Sequence, residues 1–213
     1  MTIQNGLLHR DAAYLWSDTA HWDLATGRRV LVSAKTYQGA LWPWAVAISG
    51  DSHGSAEGLS GLPALTPSGL LEAAAENLRA EADDGRLHRM LFAWPEAQRA
   101  RLCFISSEAP EGFPSLTPHF VRSYLCWGSD ADSFAPFKGR TLTPDDMREI
   151  VKLQMADYDC HLFPNGIADD GVSDVVETKV SPQTGIEHRQ LRLIKNEWCE
   201  VQLGDGFRWL EAA

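Results

Sequence analysis

The chain opens on short β-branched, aromatic or alternating runs broken by Gly, Pro and Asp, a pattern of strands rather than helices. Residues 2–8 predict a first strand, turning at His9-Arg10-Asp11 into a second over 12–17, although Asn5-Gly6 is an unfavourable strand centre. A turn at Gly27 leads to a further strand pair, 30–35 with 44–48. Residues 49–63, rich in Gly and Ser, read as a loop. The period then changes. Thr66 and Pro67 are an N-cap followed by Pro at the first helical position, and Leu70, Leu71, Ala74 and Leu78 form one apolar stripe. This predicts a helix over 66–82, ended by Asp83-Asp84-Gly85. Strands follow at 89–93, 101–105 and 120–127. A second helix is expected over 143–158, signalled by Thr143-Pro144-Asp145-Asp146 and carried by Met147, Ile150, Val151, Met155 and Tyr158. The tail returns to strands at 172–180, 190–194, 197–202 and 207–210.

The resulting order is strands, helix, strands, helix, strands. Its strands come in hairpin-like runs instead of regular βαβ alternation, so the expectation is an α+β protein of antiparallel sheets flanked by helices. No repeat or low-complexity linker divides it, and residues 1–213 read as a single domain. With 44% hydrophobic residues, eight Trp and eight Phe, the chain can fill one substantial core.

Charge narrows the range of partners. There are 29 acidic residues against 19 basic ones, a net −10, and no Lys/Arg-rich run, so nucleic acid is not an expected partner. The longest mainly apolar stretch, 40–49, is far too short to span a bilayer, and no membrane association is expected. The first residues lack the basic-then-apolar pattern of a secretion signal. Cys103, Cys126, Cys160 and Cys199 stand far apart without a CxxC pair, which suits reduced thiols and a cytoplasmic location.

Thr2 carries the first candidate chemistry. Once Met1 is removed, which a small second residue permits, its hydroxyl is a nucleophile and its own α-amine, with a pKa of about 8, is a base suited to neutral pH. Asp18 lies sixteen residues on, and Lys35 seventeen beyond that. The run Ala47-Ile48-Ser49-Gly50-Asp51 ends a strand on glycine. Trp127-Gly128-Ser129 precedes the second helix, and Asp170-Gly171-Val172-Ser173 follows it.

In order and spacing these residues resemble the proteasome β-subunit/HslV-like family of N-terminal-nucleophile (Ntn) hydrolases. The resemblance covers roughly the first fifty residues and 120–180. It implies a four-layer αββα sandwich of two antiparallel sheets, with the strand bearing Thr2 next to the strand bearing Lys35. It also implies a threonine-type amide or peptide hydrolase that needs no cofactor, takes a peptide or amide substrate and self-associates as a homo-oligomer. Thr2 would attack, Lys35 and Asp18 would tune its hydroxyl, the Gly50 amide would serve the oxyanion, and Ser129, Asp170 and Ser173 would position the amine. Ala20, Asp130 and Asp174 depart from the Arg and two Gly of the family pattern. The alternative is an Ntn-like domain without activity that serves assembly, as a retained Met1 would make it. A third reading is a divalent-metal site at Asp18, His21, Asp51 and His53. Gly50-Asp51-Ser52-His53-Gly54 looks like the opening motif of a metallophosphoesterase, but the later motifs of that family are absent from the sequence.

Overall fold

The computed structural model describes residues 3–23, 28–50, 53–62, 66–81, 88–109, 112–126, 134–162 and 174–201. Its first element is a hairpin, β1 (Gln4–His9) and β2 (Ala12–Asp18), turned at Arg10 with a positive φ of 56°. A short ribbon of β3 (Ala20–Asp23) and β4 (Arg28–Val32) follows, then β5 (Thr36–Gln38) and β6 (Ala45–Ser49). Two helices come next, α1 (His53–Gly61) and α2 (Pro67–Glu81). The chain continues through β7 (Arg89–Glu96), β8 (Arg99–Ser106), β9 (His119–Phe120) and β10 (Ser123–Cys126) to α3 (Pro144–Leu162). It ends on the meander β11 (Asp174–Ser181), β12 (Gly185–Ile194) and β13 (Glu197–Val201).

All the described strand pairs are antiparallel. One sheet runs β10-β1-β2-β11-β12-β13 and another β5-β6-β7-β8-β9, with β3-β4 as a separate ribbon. Period-two alternation gives each main sheet two buried faces. Ala13, Leu15 and Val180 from the first meet Ala45, Ala47, Leu91, Ala93, Leu102 and Phe104 from the second, so the two sheets stack face to face. The outer face of the five-stranded sheet (Val46, Ile48, Met90, Phe92, Trp94) is covered by Leu59 of α1 and Leu70, Leu71, Ala74 and Leu78 of α2. The outer face of the six-stranded sheet (Ile3, Leu7, Trp16, Val175) is covered by Met147, Ile150, Val151 and Met155 of α3. The protein is therefore α+β, with helices outside two stacked antiparallel sheets.

The expected caps form. Thr66 accepts the Gly69 amide at 3.2 Å, while Thr143 and Asp146 bond reciprocally through side chain and backbone as a capping box. Among the described residues no helix is long and apolar enough to cross a membrane.

Two expectations need correction. The Gly/Ser-rich stretch read as a loop contains α1. Its composition is poor for a helix, but Ala56, Leu59 and Ser60 are buried, and that burial outweighs propensity. The strand expected over 30–35 meets 44–48 only at its last residue, where the Lys35 carbonyl accepts the Ile48 amide. Its first part is β4, which pairs with β3, and the chain bends before β5 takes the place beside β6. The bend carries buried Ala34 and Lys35 and lacks Gly or Pro, so local turn chemistry gives no sign of it. The strand expected over 207–210 lies outside the described residues.

Gly6 is central to β1 for a steric reason. A Cβ there would lie 2.7 Å from a Leu91 methyl and 3.0 Å from one of Leu102, across the space between the sheets. The neighbouring positions are small as well (Ala13, Ala45, Ala47, Ala93), so the sheets approach closely. Gly6→Val should lower the free energy of unfolding by about 1–3 kcal/mol through overpacking, more than valine's strand preference returns. Urea denaturation of the two proteins measures this, and an unchanged midpoint would contradict the close approach.

Candidate functional site

The residues of interest gather where β1 begins and β2 ends. The hairpin register sets Gln4 opposite Ser17, so Asp18 comes level with Ile3. One Asp18 carboxylate oxygen accepts the Ile3 amide at 2.8 Å, and the other accepts the Lys35 ammonium at 2.6 Å. Asp18 is 0% and Lys35 4% exposed. Removing two such charges from water costs several kcal/mol each, so this close, hydrogen-bonded geometry is what keeps them paired inside the protein. The amide that Asp18 holds is the one joining residues 2 and 3.

Lys35 reaches this point from the other sheet. The expected side-by-side arrangement of strands is therefore corrected: β1 pairs with β10 and β2, while Lys35 immediately precedes β5. The contact crosses the space between the sheets instead of running along one of them, and two more polar contacts follow it along β5. Thr36 shares a hydroxyl hydrogen bond with Ser17 at 2.9 Å, and the Gln38 side-chain oxygen Oε1 lies 3.1 Å from His188 Nε2. Tyr37, of opposite parity, packs on the helix side with Trp44. Gln4 adds a fourth crossing by donating to the Ala47 carbonyl at 2.7 Å.

Gly50 follows β6 at the surface, with φ of +85°, a conformation that favours glycine. It lies two residues beyond Ile48, whose amide donates to the Lys35 carbonyl at 2.9 Å. Lys35 and the end of β6 are thus directly connected through backbone. Thr2, Ser129, Asp170 and Ser173 lie outside the described residues, and so does Asp51.

Asp174, which stands where the family pattern has glycine, has a structural use that the sequence did not reveal. Its carboxylate accepts Arg192 Nε at 2.6 Å and Nη2 at 2.9 Å, together with the Gln190 amide. Its carbonyl takes the amide and hydroxyl of Thr19, both at 3.3 Å. These bonds tie the start of β11 to the residue after Asp18. A second buried carboxylate, Glu177, receives a forked pair from Arg148 and the indole N–H of Trp16, and so anchors α3 to its sheet.

Among the described residues no three His, Cys, Asp or Glu side chains gather as metal ligands. Both Asp18 oxygens are engaged as above, and His21 Nε2 lies 2.9 Å from the Ser33 hydroxyl. Burial pushes the Cys103 thiol up to about 12, so it carries almost no thiolate at neutral pH.

No family model matches the chain, and no curated protein is matched by its sequence.

Two outcomes are expected. In a double-mutant cycle, Asp18→Asn and Lys35→Met should each cost about 3–5 kcal/mol, because each strands a buried charge. The combined variant should recover most of that loss, and additive costs in urea denaturation would argue against a buried, coupled pair.

The second outcome concerns His188, whose Nδ1 lies 2.8 Å from the Thr178 hydroxyl. Burial depresses its pKa from 6.5 to about 4. Between these values the unfolded chain binds a proton that the folded one does not, so stability present above pH 6.5 is lost as the pH falls toward 4. His188→Gln should flatten the fall in stability over this window by about one proton's worth of slope. A slope identical to wild type, from urea midpoints at stepped pH, would contradict it.

Proposed function

We propose that the protein is an Ntn-type threonine hydrolase of amide or peptide bonds, built on the αββα sandwich of that class, with Thr2 as nucleophile once Met1 is removed. The observation that carries this reading is the buried Asp18 carboxylate, which holds the amide joining residues 2 and 3 with one oxygen and the Lys35 ammonium with the other. In this reading the buried Lys35 ammonium supplies the positive charge that a hydroxyl needs to attack at neutral pH. The stacking of two antiparallel sheets between helices also supports the reading.

In this mechanism the Thr2 hydroxyl gives its proton to the α-amine as its oxygen attacks the substrate carbonyl carbon. The carbonyl electron pair moves onto oxygen, where the Gly50 N–H donates to it. Collapse of the intermediate breaks the C–N bond, and the leaving amine takes the proton from the α-ammonium. An ester to Thr2 remains. Water, deprotonated by the same amine, attacks that ester, releases the carboxylic acid and restores Thr2. Lys35 stabilises the oxygen while it is negative, and Asp18 fixes Lys35. Ser129, Asp170 and Ser173 orient the amine. No cofactor takes part.

The test uses protein whose chain begins at Thr2, verified by intact mass, and a dipeptide epoxyketone, which reacts with hydroxyl and amine together. Wild type should gain one adduct mapped to Thr2, and Thr2→Ala should gain none. The Asp18→Asn/Lys35→Met protein keeps the core neutral, so it separates chemistry from folding. It should be folded yet labelled about a hundredfold more slowly, on the scale of losing one electrostatic contact to the transition state. Unmodified Thr2 in folded wild type would overturn the proposal and leave a domain that serves assembly. Labelling of the double variant at the wild-type rate would remove Lys35 from the mechanism.

A further inference from the structure

Gln4 joins the first strand to the strand that ends at Gly50. Its side chain, 0% exposed, donates from Nε2 to the Ala47 carbonyl at 2.7 Å and to the Arg89 carbonyl at 3.3 Å. Both acceptors are backbone atoms of the opposite sheet, on the neighbouring strands β6 and β7. These two strands stay paired to the last residue of β6, with Ala47 opposite Leu91, Ile48 opposite Met90 and Ser49 opposite Arg89. The Ser49–Gly50 peptide unit, which carries the Gly50 N–H, therefore begins on a residue held by the β6–β7 ladder. Lys35 is fixed to the same place, because its carbonyl accepts the Ile48 amide at 2.9 Å. On the other side only Ile3 stands between Gln4 and Thr2, and Asp18 holds the Ile3 amide. The end of β6 is thus a common reference. Backbone bonds relate Lys35 and Gly50 to it, and the Gln4 side chain relates to it the strand that leads to Thr2.

An oxyanion donor works only about 2.7–3.1 Å from the charged oxygen, so a shift of about 0.5 Å between nucleophile and donor forfeits much of its effect. In this fold the two groups belong to different sheets. Their separation depends on how the sheets are spaced at this end of the sandwich. Apolar packing is non-directional, and the small facing residues that let the sheets approach do not by themselves fix the spacing so finely. A short hydrogen bond to backbone does. The Gln4 Oε1 has no partner among the described residues, so the two bonds from Nε2 are what this buried amide contributes. We propose that Gln4 is a positioning residue for the reaction. Its forked amide sets the separation between the strand that bears the nucleophile and the strand that ends in the oxyanion donor. This rests on the hydrolase reading above.

The experiment compares wild type, Gln4→Met and Gln4→Glu, each as the full chain beginning at Thr2, with two electrophiles built on the same dipeptide. The epoxyketone is attacked first at its ketone carbon and forms an oxyanion there. A vinyl sulfone is attacked at its β-carbon, the negative charge develops beside the sulfone, and no carbonyl oxyanion forms. Gln4→Met keeps the length of the side chain and removes the donor. It should lower the maximal rate of epoxyketone labelling about tenfold with half-saturation unchanged, since misplacement by about 1 Å costs about a hundredfold. Vinyl-sulfone labelling should stay within about twofold of wild type, because that reaction does not use the oxyanion donor. In Gln4→Glu, burial favours the protonated carboxyl, whose hydroxyl can still donate to the Ala47 carbonyl. Its epoxyketone rate, taken relative to the vinyl sulfone, should recover at acidic pH and fall as the carboxyl ionises. An unchanged epoxyketone rate in folded Gln4→Met, or equal slowing with both electrophiles, would overturn the positioning role and leave the hydrolase reading standing. If Gln4→Met does not fold, the ratio in Gln4→Glu decides, and a ratio that does not vary with pH would overturn the role. Folded wild type that neither electrophile labels would overturn both.

Discussion

A carboxylate with no exposed surface cannot remain ionised beside apolar neighbours without a cation and a donor, and Asp18 has one of each. The donor is the backbone of the first strand and the cation comes from the opposite sheet. Three separate parts of the chain, the start of β1, the end of β2 and the bend before β5, must therefore arrive together. If any one is displaced, a charge is left buried alone, at a cost comparable to a large part of a domain's stability. Neither the stacking of the sheets nor the hairpin can relax independently at this corner.

The rest of the interior is arranged to permit that contact. A lysine side chain can cross between sheets only if they are near, and the facing positions are correspondingly small: Gly6, Ala13, Ala45, Ala47 and Ala93. Leu15, Leu91, Leu102 and Phe104 fill the remaining space between the sheets, and other large side chains face outward. Trp16 lies under α3, and Trp44, Phe92 and Trp94 lie on the α1–α2 side. The polar contacts along β5 continue the same seam, with Thr36 on Ser17 and Gln38 on His188. The sheets are held by a mixture of shape and specific hydrogen bonds, and the polar ones concentrate beside the candidate site.

Much of this was legible in the sequence where local chemistry decides the outcome. The β1–β2 hairpin, α2 and α3 carry their own turn and cap residues, and Thr66, Thr143 and Asp146 make the bonds their positions predict. Asp18 and Lys35 were singled out by spacing, and they meet. What was not legible depends on distant partners. The helix α1 contains three glycines and exists because Ala56 and Leu59 are covered. The exchange of β4 for β5 beside β6 takes place at a buried bend carrying Ala34 and Lys35, with no turn residue to announce it. Asp174 resembles a plain substitution until the register of β11 and β12 sets Arg192 opposite it. Cross-strand partners are a property of register, which a one-dimensional pattern does not contain.

The two amides at the head of β1 have a consequence of their own. Gln4 donates into the space between the sheets, to Ala47, while Asn5 exchanges hydrogen bonds with Gln154 on α3. Consecutive residues are thereby committed to opposite layers, and both are fully buried. Sliding the strand by one position would turn each amide toward the wrong layer and leave two sets of polar atoms facing hydrocarbon. Sliding it by two would restore the faces but lose both partners. The pair therefore works as a ratchet with a single tooth, setting where along its own axis the first strand stops.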